Sequence, residues 1–390
     1  EISTRDWSSD VCSSDLRPTV AEIDLSALVF NFRSIRDFVG TEIAFMAVVK
    51  ANAYGHGAVK CAEALENAGV DWFGVAIVEE ALELRQNGIS LPILCFGGLW
   101  PGQEEVVIES GVTPVILTIE MAELLNDAAE RHGCDVGVHI KIDTGMGRVG
   151  TALEHLDEFL DGLARSKRLK IDGVMTHFAT ADDPAAVDLT RSQISRFNLA
   201  VEKVRARGHD PKFLDMANSP GAVAFPESRG DLVRIGGILY GLGGDVLPAG
   251  IPAPELKPVM SIKSRIAFLK EVPPGTPLGY GRSFITERPS RIATIPIGYN
   301  DGYPRALSNR AAVLVHERKV PVCGRISMDW TIIDVTDVPE ARIGTEVTVI
   351  GTSGDKAVLA EDLASWANTI SYEITCGIGT RIPRNYFNIS

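Results

Sequence analysis

Between residues 43 and 235 the sequence repeats one arrangement: a short apolar, β-branched run, then a stretch with apolar residues three and four positions apart. The runs are 43–49, 72–77, 92–96, 113–117, 137–142, 173–177, 212–216 and 232–235, and helical period occupies segments such as 58–67, 79–86, 119–131, 153–165 and 189–206. Apolar strands alternating with amphipathic helices are the pattern of a parallel sheet with crossover connections. Eight such units in about 220 residues predict an α/β fold, the TIM (β/α)8 barrel.

Past Gly241 the texture changes. VLPAGIPAPELKP reads as a Pro/Gly-rich linker, and the remainder is rich in Val, Ile, Thr and turn residues with little helical period. The sequence therefore predicts a barrel domain over residues 17–253 and a mainly β domain over 254–390. Residues 20–23 read as a strand that can pair with the β domain, ahead of a helix over 25–38 capped by Asp24 or Ser26. Residues 1–16, EISTRDWSSDVCSSDL, lack the basic start and apolar stretch of a signal peptide. They look like translated sequencing-adapter sequence and are expected to be foreign to the fold, with the natural start and any export signal lost.

Composition narrows the partners. A net charge of −13 over 390 residues argues against a nucleic-acid face or an anionic membrane surface. No window approaches the ~18–20 uninterrupted apolar residues of a membrane span. The six cysteines are scattered without a C-x-x-C element, as expected for reduced thiols in a cytoplasmic protein. His56, His139 and the other histidines show no metal-ligand spacing, so no catalytic metal is expected.

In a TIM barrel the active site gathers at the C-terminal ends of the strands. Here those ends carry Lys50 (strand 1), Lys141, Asp143 and Arg148 (strand 5), His177 (strand 6), Asn218 and Ser219 (strand 7), and Arg234, Gly236 and Gly237 (strand 8). Loops after strands 7 and 8 commonly bind phosphate, and the Ser219 hydroxyl with the Gly236 and Gly237 N–H groups suits that role. Lys50 ends the apolar run FMAVVK, where a cation is costly to bury, and such lysines form Schiff bases. Lysine and phosphate site together suggest pyridoxal phosphate (PLP). The bland alternative for Lys50 is a salt-bridged strand-end lysine.

The motifs VVKANAYGHG, KIDTGMGRVG, MTHFAT, MANSPG, RIGGILYG, GYGRSF, PIGYNDGYPR and RISMDW occur in the order and spacing of alanine racemases, and from about residue 17 to residue 387 the chain resembles that family. The resemblance implies a pyridoxal 5'-phosphate enzyme that interconverts L- and D-alanine and supplies D-alanine for peptidoglycan. It also implies a head-to-tail homodimer in which each β domain completes the partner's site. Lys50 would hold the cofactor and act as one of two bases at Cα; the other would be Tyr280 of the partner subunit. Racemisation needs acid/base groups on opposite faces of a planar carbanion, which one lysine and one tyrosine supply. His177 would hydrogen-bond into that network.

By the same resemblance Arg234 would face the pyridine nitrogen. A guanidinium stays protonated, so it donates a hydrogen bond without protonating the ring, which leaves a weaker electron sink and favours proton return. Tyr54, Ser219, Gly236, Gly237 and Tyr372 would bind the phosphate, with Asn218 in the same cofactor site. Arg148 would contact the cofactor's phenolic oxygen and the substrate carboxylate, assisted by the Met328 N–H of the partner subunit. Lys141 matches a lysine often carbamylated in the family; Tyr299 and Tyr303 of PIGYNDGYP would line the entry, and the bland reading of each is a packing residue.

One position departs from the pattern. Asp215 stands where many members carry a histidine that bonds the pyridine-facing arginine, so it is expected to orient Arg234, neutralise its charge and alter the pH dependence. The bland reading of Arg234 is a core arginine paired with Asp231 or Asp215. Alternative functions are a racemase of serine or longer amino acids, a barrel-type PLP decarboxylase, and a PLP carrier without turnover. Decarboxylases on this barrel place a carboxylate near the pyridine nitrogen, and a carrier needs neither Tyr280 nor a second domain.

Overall fold

The computed structural model describes residues 17–387; the 1–16 segment, with its expected foreign origin, lies outside the described residues. The chain divides into two compact units, Ala27–Lys257 and a second that joins the N-terminal residues through Ser26 to Pro258 and beyond. The first strand, β1 (Val20–Asp24), therefore belongs to the second unit.

The Ala27–Lys257 unit is built on β2 (Ala44–Val48), β3 (Trp72–Val75), β4 (Ile93–Cys95), β5 (Val112–Ile116), β6 (Val136–Asp143), β7 (Thr151–Ala152), β8 (Leu169–Met175), β9 (Phe213–Asp215) and β10 (Leu232–Ile235). Eight of them pair in parallel in the order β10-β2-β3-β4-β5-β6-β8-β9, and the two-residue β7 adds to the end of β6. Between β9 and β10 the ring is joined by Asp231 N–H donating to the Leu214 carbonyl (3.1 Å) and Arg234 N–H to that of Ala217 (2.9 Å). This is the barrel expected from the eight apolar runs.

Strands buried on both faces read as continuous apolar sequence, and the reason is visible in the core. Met46, Leu94, Val115, Met175 and Leu232 form one buried cluster, packed against Trp72, Phe96, Leu117 and Phe213. Each fully buried side chain of this size contributes about 1.5–3 kcal/mol relative to exposure. His139 lies among them, its ring stacked on Phe213 with centroids 5.9 Å apart. A Cβ on Gly173 would strike that ring, so the strand beside His139 needs glycine. Burial, then Arg234, depresses the His139 pKa to about 3, so the imidazole is neutral.

The helices around the barrel start and stop on recognisable signals. In Ile119–His132 the Thr118 hydroxyl accepts from Met121 N–H (3.3 Å), and Gly133 ends the helix at φ 66°. Among the described residues no helix is long and apolar enough to cross a membrane.

The second unit is mainly β. Its larger sheet places β1 between β11 (Met260–Arg265), antiparallel, and β12 (Arg384–Phe387), parallel. A separate three-stranded sheet joins Phe268–Val272, Ser290–Ile295 and Thr331–Asp334. Asp301, fully buried, accepts from Arg17 (2.9 Å) and from the Gly298 N–H (3.0 Å), which fixes the PIGYNDGYP loop.

Candidate active site

Lys50 follows β2 at the mouth of the barrel, half-buried. The next four residues, Ala51, Asn52, Ala53 and Tyr54, all have positive φ (52°, 54°, 52° and 53°), a left-handed turn made without glycine. This conformation costs an L-residue roughly 1–2 kcal/mol, and it persists only where the surroundings over-determine it. Ala53 N–H donates to the Val49 carbonyl (2.8 Å), Gly57 N–H to that of Asn52 (2.9 Å), and Ala58 N–H to Asn52 Oδ1 (2.8 Å). The Ala51 N–H donates to Glu80 Oε1 at 2.6 Å.

The turn carries Tyr54 toward the loop after β10. A Cβ on Gly236 would run into the Tyr54 phenol, so the ring packs directly on glycine backbone. Tyr240 steadies the arrangement: its hydroxyl donates to the Val48 carbonyl (2.9 Å), and its ring lies 5.2 Å from that of Tyr54 and 4.7 Å from that of His56. Ser219 Oγ accepts from the Gly236 N–H (3.0 Å), so that N–H is engaged and the serine keeps its own proton to donate. Asn218 caps the short helix Ser219–Ala224 by accepting from Gly221 N–H (3.1 Å). Thus Tyr54, Ser219 and Gly236 converge, with Gly237 opening the following turn and Asn218 serving the loop's own structure.

Arg234 is buried and pairs with Asp215, not Asp231, whose carboxylate instead accepts from Leu214 N–H (3.0 Å). Its Nη1 and Nη2 donate to Asp215 Oδ1, the Asp215 carbonyl, the Thr176 carbonyl (2.7 Å), the Met216 carbonyl (3.2 Å) and His177 Nδ1 (3.4 Å). Nε–H is the guanidinium donor left over among the described residues. Because Arg234 only donates, His177 Nδ1 accepts and its proton sits on Nε2. Burial, then the surrounding Arg234, Lys141, Arg148 and Lys50 cations, hold the His177 pKa far below its ordinary value. Burial raises Asp215 to about 6 against the pull of Arg234, and its Oδ2 has no partner among the described residues.

Lys141 is 5% exposed, and its ammonium makes no hydrogen bond or ion pair among the described residues. Asp143 is no partner for it, since that carboxylate accepts from Gly145 and Met146 N–H (both 2.9 Å) and Gly147 N–H (3.1 Å), folding the loop that ends in the exposed Arg148. Burial, then Arg234, Arg148 and Lys50, push the Lys141 ammonium down from 10.5 to about 8. A base whose folded pKa lies below its unfolded one weakens the fold while charged, and the penalty fades as pH rises through this interval. In carbon-dioxide-free buffer Lys141→Met is therefore expected to stabilise the cofactor-free chain at pH 7 by at most about 3 kcal/mol, with the gain closing near pH 10.5. Denaturant titrations at both pH values check this; an equal gain at each would mean packing, not charge.

The second unit holds the other residues. Tyr280 opens a turn between the two-residue strands Pro277–Leu278 and Phe284–Ile285 and is 69% exposed. Gly279 and Gly281, both at φ 67°, pack against Arg325. Met328 is 52% exposed, and its carbonyl accepts from Asn300 N–H (3.1 Å), which places it beside Tyr299. Tyr372 is half-buried on the helix Ser371–Cys376. Tyr303 is buried to 1% exposure, which fits the packing reading of that residue and not a place on the entry. The contributions of Tyr240 and Glu80 were missed; no signal short of the structure distinguishes them from a core aromatic and a helix-face acid.

A parallel eight-stranded barrel whose strand ends gather a lysine, a buried arginine and a tyrosine–serine–glycine cradle defines a (β/α)8 enzyme scaffold with an amine-centred site. Comparison with known proteins gives the family. Residues 23–243 match the model of the alanine racemase N-terminal domain and residues 259–386 that of the C-terminal domain. The chain is 43% identical over 374 residues to an alanine racemase of Halothermothrix orenii (95% of this chain, 97% of that protein). It is 43% identical over 381 residues to one of Geobacter sulfurreducens (96% and 99%). Among solved structures, alanine racemase from D-cycloserine-producing Streptomyces lavendulae matches with TM-score 0.90 at 36% identity, over 95% of this chain and 97% of that one. The Bartonella henselae alanine racemase with covalently bound pyridoxal phosphate matches with TM-score 0.84 at 33% identity, over 95% and 99%. The chain belongs to the alanine racemase family.

Proposed function

We propose that this chain interconverts L- and D-alanine with pyridoxal phosphate held at Lys50. The observation that carries the reading is the convergence at the barrel mouth of Lys50, the Tyr54–Gly236–Ser219 cradle and the spare Nε–H of Arg234. These residues fit the cofactor. Glycine backbone packed on a phenol leaves no room for a Cβ, a serine proton is ready for a phosphate oxygen, and a buried guanidinium offers one N–H to a ring nitrogen. When bound, the cofactor withdraws electrons from the substrate's Cα–H bond and so acidifies it.

The remaining roles belong to the chain's own side chains. Lys50 Nζ would hold the cofactor, and as an amine it would hold or deliver the proton on one face of Cα. Tyr280 of the partner subunit serves the opposite face, and the neutral His177 offers its Nε2–H to that phenol. Arg148 receives the substrate carboxylate, together with the Met328 N–H of the partner subunit; Tyr372, Asn218 and Gly237 complete the cofactor site. Support for the shared homodimeric site comes from the exposure of Tyr280, Met328, Tyr299 and Trp330, since large apolar side chains at a surface mark interaction faces. Lys141, buried with no hydrogen-bond partner for its ammonium among the described residues and with a depressed pKa, is suited to carbamylation: the neutral amine adds carbon dioxide and gives up a proton to solvent, and the resulting carbamate anion relieves the cation cluster. The product D-alanine would serve peptidoglycan synthesis, and cysteines scattered without a C-x-x-C element suit a cytoplasmic setting.

Absorbance of the purified protein before and after borohydride, followed by optical rotation with L-alanine, tests the reading. A band near ~420 nm fixed by reduction onto Lys50, with decay of rotation, is expected. The band without decay would mean another substrate, and no band would end the proposal. Gly236→Ala is expected to raise the Kd for pyridoxal phosphate at least ~10-fold by driving Tyr54 out of place, the equivalent of about 1.4 kcal/mol. An unchanged Kd in a fluorescence titration would contradict the cradle.

A further inference from the structure

We infer that Glu80 is a positioning residue for Lys50, an inference that rests on the proposed role of that lysine. Ala51, the residue after Lys50, begins the left-handed turn, and its N–H donates to Glu80 Oε1 at 2.6 Å. The other oxygen, Oε2, accepts from the Ala76 N–H at 2.7 Å. One carboxylate thus ties the chain leaving β2 to the chain leaving its neighbour β3. The bond to Ala76 resembles an ordinary helix-start contact, since Glu80 lies in the first turn of the helix Val78–Gln86. The bond to Ala51 has no such purpose: it reaches a different element, at the first residue of a conformation that L-residues avoid.

Within the same connection, Ala53 N–H holds the turn to the Val49 carbonyl and Asn52 Oδ1 holds it to the first N–H of the following helix, Ala58–Ala68. Glu80 adds the tie at the turn's first residue and fixes where that residue sits against the chain leaving β3. A lysine that must both hold a cofactor and meet Cα from one face needs its backbone held to a fraction of an ångström. The bond counts required are specific to a carboxylate. Glutamine keeps one acceptor and turns its other arm into a donor facing an N–H, so either Ala51 or Ala76 loses its partner.

Full-length holoenzyme carrying Glu80→Gln tests the inference, with Glu79→Gln on the same helix as control. Amide hydrogen exchange should show Ala51 protected in the wild type and exchanging at least tenfold faster in Glu80→Gln. The kcat for alanine should fall about tenfold with KM within twofold, and apoprotein should recapture pyridoxal phosphate at Lys50 more slowly. Glu79→Gln should change none of these. Unchanged Ala51 exchange and unchanged kcat in Glu80→Gln would overturn the inference. So would a proportional loss in both glutamine variants. If Glu80→Gln does not fold, Glu80→Asp, whose shorter carboxylate spans only one of the two N–H groups, is read the same way. A wild-type chain that does not racemise alanine would end the proposed function while leaving the exchange measurement, which needs no turnover, to decide the role of Glu80.

Discussion

Lys50→Ala is expected to bring racemisation down by at least ~10³-fold and to leave no cofactor fixed to the protein by borohydride. The size follows from two losses at one atom. Without Nζ the cofactor has no covalent anchor, and one face of Cα has no base; a single acid–base group alone contributes about 10²–10⁴. Lys50→Arg separates charge from nucleophilicity, because a guanidinium keeps the positive charge but does not lose its proton near neutral pH. Both variants should fail alike. Polarimetry and mass spectrometry after reduction check this, and substantial racemisation by either variant would remove Lys50 from the centre of the reaction.

Tyr280→Phe tests the opposite face. The phenol is largely exposed in the chain, so deleting its hydroxyl should leave folding stability within about 0.5 kcal/mol. Racemisation should nevertheless fall by about 10²–10⁴, with the cofactor band retained. The loss should also be one-sided: in deuterated water the surviving base still exchanges the α-hydrogen of one enantiomer, and the other stays protonated. NMR of the recovered alanine reads this directly. Equal exchange in both enantiomers, or undiminished racemisation, would contradict a two-base arrangement.

The barrel was legible because strands buried on both faces cannot alternate, so each became a short apolar run punctuated by turn residues. Lys50, Lys141, His177, Ser219 and Arg234 were legible as polar residues ending such runs. The local path of the chain was not. Positive φ is ordinarily announced by glycine, yet Ala51, Asn52, Ala53 and Tyr54 adopt it, and nothing in AlaAsnAlaTyr signals a left-handed turn. The fate of individual hydrogens was hidden too: Gly236 N–H, expected to face a phosphate, donates to Ser219. Likewise Tyr303 resembled Tyr299 in sequence, but only burial separates the packing ring from the exposed one.

The position of β1 bears on the order in which the protein matures. Val20–Asp24 leaves the ribosome before the barrel sequence, but its sheet partners Met260–Arg265 and Arg384–Phe387 leave it only after that sequence. The barrel is one uninterrupted stretch, Ala27–Lys257, and among the described residues its strands pair with one another. During synthesis the barrel sequence can therefore collapse early, while the leading strand waits with open edges for neighbours more than two hundred residues behind it. Contacts of that sequence separation form slowly, and unpaired edges invite wrong pairings. A truncated chain ending near Lys257 would carry β1 with neither of its partners, so premature termination should yield a species more prone to aggregate than the barrel segment expressed without its first strand.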